Sequence, residues 1–198
     1  MEQVATAGFN PPQPYRERAL GFWFYLISDM ILFAVLFANY AVLLLGTAGG
    51  PTPADMFSMS RLTAETAMLL CSSLAFGLTS YAALSGKKGA ALAWLAVTIA
   101  LGVGFLSLEL GEFAELASKG AVPQRSGFLS GFYALVGAHG LHVAFGLVML
   151  IVLFFQIQTK GMTHPVLSRL YRIGLFWHFL DLVWIGIFSF VYLPGLMS

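Results

Sequence analysis

Ionisable residues recur inside the most apolar stretches of this chain, at spacings that match helical faces. Asp29 stands in LISDM, His139 and His142 in GAHGLHV, and His178 and Asp181 in FWHFLDLVW. The members of each of the last two pairs are three residues apart, which puts both on one side of a helix. An imidazole or a carboxyl group in hydrocarbon is costly unless partnered. Such groups clamp helices together, relay protons, or ligate a metal or haem. The H-x-x-H spacing is by itself a weak metal signal, and no cysteine joins it. Cys71, the single cysteine, lies in an apolar segment and is expected to be a small buried side chain, which leaves no disulfide framework.

A second acidic group follows the same rule. Glu109, Glu112 and Glu115 recur every third residue in LELGEFAEL, and Glu65 opens the preceding apolar segment. Adjacent carboxyl groups need a cation or a shared proton, and Arg61, Lys119 and Arg125 are the nearest basic residues. Glu109 and Glu65 are expected to point inward, whereas Glu112 and Glu115 read as interfacial acids that snorkel.

The elements that position these groups follow from composition. The chain has 198 residues, 59% hydrophobic and 10% charged, with a mean hydropathy of +0.83, which is the balance of a membrane protein. A net charge of +1 excludes nucleic-acid binding by electrostatics. Five apolar runs are each long enough to cross a hydrocarbon core of about 30 Å as a helix. They cover 19–45, 62–84, 90–116, 128–158 and 173–193. The fold expected is all-α, a single five-helix transmembrane domain over 19–198, with sequence neighbours packed antiparallel through short connections. Residues 1–18 form a polar arm with no apolar core of an export signal, and its Pro-rich part is expected to be extended or poorly ordered until it meets a partner. The connections GTAGGPTPAD, SGKKG, SKGAVPQRSG and TKGMTHPVLSRLYR separate the spans, and His164 is placed in the last of them.

Basic residues set the orientation. With the N-terminus inside, that side holds Arg16, Arg18, Lys87, Lys88, Lys160, Arg169 and Arg172, and the other holds Arg61, Lys119 and Arg125. The excess favours N-terminus in and C-terminus out, in a bacterial inner membrane or an organelle of bacterial descent. Counting 1.5 Å per residue along each span brings Asp29, His139, His142, His178 and Asp181 to similar depths. They are expected to form one hydrogen-bonded layer, with His139 toward Asp181 and His142 toward His178. Gly102, Gly104, Gly131, Gly137 and Gly140 mark close helix contacts. Three other readings are a small b-type cytochrome ligating haem through His139 or His142 with His178, a proton-coupled transporter using Asp29 and Asp181, and a free-standing structural protein. No internal repeat supports the transporter.

SGFYALVGAHGLHVAFGL followed by FWHFLDLVW resembles the two signature helices of subunit III of the haem-copper terminal oxidases. FYLISDMILFAVLFANYAV is similar to that family's first shared helix, and LSLELGEFAEL to its acidic helix end. The likeness runs from Gly21 onward. The five-helix length and the short GTAGGPT loop resemble the cytochrome bo-type ubiquinol oxidase branch; some cytochrome c oxidases share the five-helix form. The resemblance implies an accessory subunit that is not itself the enzyme and has no redox cofactor. Haems and copper would reside in partner subunit I, the main contact, with subunits II and IV also in the complex and phospholipid bound. It implies support for proton uptake and oxygen access, and protection of the catalytic centre. Its residues here are Asp29, Glu65, Glu109, Glu112, His139, His142, His178 and Asp181. Asp29 departs from the pattern: many members have a carbodiimide-reactive glutamate there, one methylene longer.

Overall fold

The computed structural model describes residues 13–49 and 59–194. Among these the fold is all-helical: α1 (Gln13–Leu43), α2 (Met59–Leu84), α3 (Lys88–Ser118), α4 (Gly127–Lys160) and α5 (His164–Ile187), with a short 3-10 turn, Pro123–Arg125, before α4. All five helices are long and apolar enough to cross a membrane. A helix satisfies its own backbone groups, which is why runs without an interior proline take this form in hydrocarbon.

The boundaries have local causes. Ser126 caps α4, its Oγ accepting from the Leu129 N–H at 3.2 Å. Gly161 ends the same helix at φ +67°, a conformation that a Cβ disfavours, while its N–H closes on the Ile157 carbonyl at 3.1 Å. Two expected boundaries are corrected. The last helix starts at His164, nine residues before the expected 173, because Pro165 sits in the first turn, where its missing N–H costs nothing. The first helix starts at Gln13, six residues before the expected 19. Residues 1–12 of the expected arm and 50–55 of the first connection lie outside the described residues.

Four helices form a ring in which α2 packs on α3, α3 on α4, α4 on α5, and α5 on α2. The first helix rests mainly on α4 and α5, so the expected neighbour packing fails for α1 and α2. Trp177 shows how the ring closes. Its indole is fully buried, and its Nε1–H donates to Ser72 Oγ at 3.0 Å. A Cβ on Gly102 would lie 2.9 Å from the ring and one on Gly146 3.0 Å, so bare backbone on α3 and α4 makes the slot that receives it. Basic side chains tie one end of the ring, where Lys88 Nζ donates to the Gln158 carbonyl at 2.9 Å.

Candidate functional site

Three mid-membrane arrangements replace the single expected layer. On the seam of α1 and α4, His142 donates from Nδ1 to the Ala138 carbonyl of its own helix at 2.7 Å, leaving Nε2 3.8 Å from Asp29 Oδ2. That separation is an ion-pair distance and too long for a hydrogen bond. On the seam of α2 and α5, His178 Nδ1 is 2.7 Å from Ser73 Oγ and 3.8 Å from Asp181 Oδ2. Between them His139 is fully buried. Its ring stacks on Trp184 at 5.4 Å and meets the edges of Phe105 at 5.8 Å and Phe33 at 6.4 Å.

The expected pairs of His139 with Asp181 and of His142 with His178 are therefore corrected. Residues at i and i+3 share a side of a helix but diverge by about 60°. On α4 this is enough to send His142 to α1 while His139 points into the core. On α5, Trp177 occupies the inward position, and the next residue, His178, turns to α2. Neither ring nitrogen of His139 and neither carboxyl oxygen of Asp181 has a hydrogen-bond partner among the described residues. Ser73 was missed by sequence reading because a serine in LLCSSL is unremarkable in a transmembrane helix. Cys71, expected to be buried, is exposed on the outside of α2.

The acidic group gathers at one end of the ring. Glu65 and Glu109 are each 1% exposed, and none of their four carboxyl oxygens has a hydrogen-bond partner among the described residues. Glu112 is also buried, and Tyr192 donates to its Oε2 at 3.0 Å. Glu112 thus does not snorkel. Glu115 alone behaves as an interfacial acid, 2.7 Å from both Arg61 Nη2 and Lys119 Nζ. Arg125 turns instead to the Gly120 carbonyl at 3.3 Å. Glu65, Glu109 and Glu112 are near enough to act on one another electrostatically. Tyr192 is supplied by a π turn, Phe188–Tyr192, that continues α5.

Removing only the Tyr192 hydroxyl should expose the value of this contact. Tyr192→Phe is expected to cost about 1 kcal/mol, because Glu112 keeps its burial and loses its donor. An unfolding titration in mixed detergent micelles measures it.

The geometry gives the haem-ligand reading no support: the three intramembrane histidines turn to three different neighbours, and His139 is enclosed by aromatic rings. Among the described residues no three of His, Cys, Asp and Glu are grouped to hold a metal ion. The arrangement links separate helices through polar side chains set in apolar surroundings.

Comparison with known proteins assigns the chain to a family. Residues 15–196 match the family model described as cytochrome c oxidase subunit III, and the chain belongs to this family. It is a multi-pass membrane subunit of a respiratory oxidase, an oxidoreductase complex. It is 51% identical over 178 residues to cytochrome bo(3) ubiquinol oxidase subunit 3 of Pseudomonas putida, covering 90% of this chain and 86% of that one. Quinol oxidase subunit 3 of Bacillus subtilis is 36% identical, covering 99% of this chain and 98% of its own. Cytochrome c oxidase subunit 3 of Alkalihalophilus pseudofirmus is 41% identical, covering 97% of both chains.

Proposed function

We propose that this chain is the third, non-catalytic subunit of a proton-pumping cytochrome bo-type ubiquinol oxidase of a bacterial inner membrane, with its N-terminus inside. The observation that carries the choice of donor is the 51% identity to a subunit of that name over nine-tenths of the chain. Haems and copper belong to subunit I of the complex, with subunits II and IV as further neighbours and phospholipid bound around the helices. The chain stabilises subunit I, and the polar groups Asp29 and His142, and His178 and Asp181, fix helix registry while supporting proton uptake and oxygen access.

A cytochrome c oxidase subunit III is the second reading, favoured by the 41% identity to a subunit of that name across 97% of both chains. Oxygen uptake by the purified complex separates the two. Ubiquinol is expected to drive it and reduced cytochrome c is not; the reverse result transfers the chain to the second branch. Stripping the chain from the complex is expected to leave the haem spectrum with the partners and to shorten the period over which turnover is sustained. Haem that leaves with this chain would overturn the accessory role.

A further inference from the structure

His178 stands midway along the helix His164–Tyr192, six residues beyond Arg172 in its apolar part, yet 49% of its side chain is exposed. Its Nδ1 is engaged inward with Ser73 Oγ at 2.7 Å, so Nε2 is the nitrogen left for the outside. Intramembrane ionisable side chains face protein or a water-filled cavity, because acyl chains offer no hydrogen bond. Six residues of helix carry His178 about 9 Å past Arg172, beyond the interface and into the hydrocarbon. Around the imidazole the surface is bulky and apolar. Leu182 is 68% exposed one turn further along α5, and Leu70, one turn from Ser73 on the same side of α2, is 48% exposed. One polar group at the centre of an apolar seam is the pattern of a helix–helix contact in which a single hydrogen bond fixes register.

We propose that a transmembrane helix of another subunit packs along the seam of α2 and α5, over Leu70, His178 and Leu182, and brings one hydrogen-bonding side chain to His178 Nε2. The proposal rests on the reading that the chain works inside an oxidase complex. It adds which face is covered, and by what chemistry. Lipid alone fails to account for the seam: an exposed leucine at 178 would serve a lipid contact better than histidine does.

The test uses the intact complex, purified through a tag on this chain. His178→Leu is expected to lower the haem retained per chain after a detergent wash about tenfold, because the partner's polar group is left buried and unpaired. His178→Gln keeps a hydrogen-bonding end and is expected to retain haem to within about twofold of the wild type. Independently of how well those variants fold, a photo-crosslinking residue at Leu182 in the otherwise natural chain is expected to give an adduct with a second polypeptide. Adducts with lipid or quinone only, together with full retention by His178→Leu, would overturn the proposal and leave the oxidase reading intact. A wild-type chain that brings no haem at all would remove that reading first, and this proposal with it.

Discussion

Trp177→Ala is expected to destabilise the helix ring by about 3 kcal/mol, the lower part of the range for removing a buried Trp side chain from a core. The lower part applies because the surrounding lipid is as apolar as the side chain, so the transfer contribution shrinks and the cavity contribution remains. The cavity is shaped to resist collapse. Its walls on α3 and α4 are the backbone at Gly102 and Gly146, which lack side chains that could swing into the gap. Ser72 Oγ also loses the indole N–H that donates to it. Trp177→Phe separates the two effects, since it fills much of the slot but restores no donor. It is expected to lose about 1–2 kcal/mol. Unfolding of the chain by a denaturing detergent, followed through helix signal in mixed micelles, ranks the three proteins. Equal midpoints for all three would show that α5 is not held by this slot.

The same slot explains how much of the molecule was legible in its sequence. Five helices were visible because hydrocarbon demands runs of about 20 apolar residues, and that demand does not depend on which helix packs on which. The start of α5 is ambiguous in sequence because Pro165 suits a loop and the first turn of a helix equally. Asp29 and His142, on different helices, lie 3.8 Å apart, whereas the nearness of His178 and Asp181 follows from their spacing on one helix. Their choice of partner was not legible. It depends on rotations of tens of degrees about each helix axis, set by large residues such as Trp177 and Trp184 that claim the inward positions. Ser73 and Tyr192, which contact His178 and Glu112, carried no pattern of their own. Packing of α1 on α4 and α5 was invisible for a related reason: a short connection limits distance but does not choose a neighbour.

Gly140→Ala is the second large effect, and it tests the buried acidic group through its packing. A Cβ at position 140 would lie 2.6 Å from Glu109 Oε1, 3.1 Å from its Cδ and 3.2 Å from Oε2. The carboxyl group of α3 is therefore laid against the bare backbone of α4, and a methyl group forces one of the two to move. Glu109 is 1% exposed, and the cavity of about 530 Å³ that it lines with Gly137 and Gly140 is walled mainly by apolar side chains, so a displaced carboxyl group finds room there but no hydrogen-bond partner. Overpacking of this kind is expected to cost about 1–3 kcal/mol, seen as an earlier unfolding midpoint and weaker retention in the complex. The cause is separable by a double-mutant cycle. In a Glu109→Ala background the obstructing atoms are gone, and adding Gly140→Ala should then cost less than about 0.5 kcal/mol, giving a large coupling between the two positions. If Gly140→Ala is as damaging with Glu109 removed as with it present, the glycine serves something other than the carboxyl group, and the contact of α3 with α4 at this depth is wrongly described.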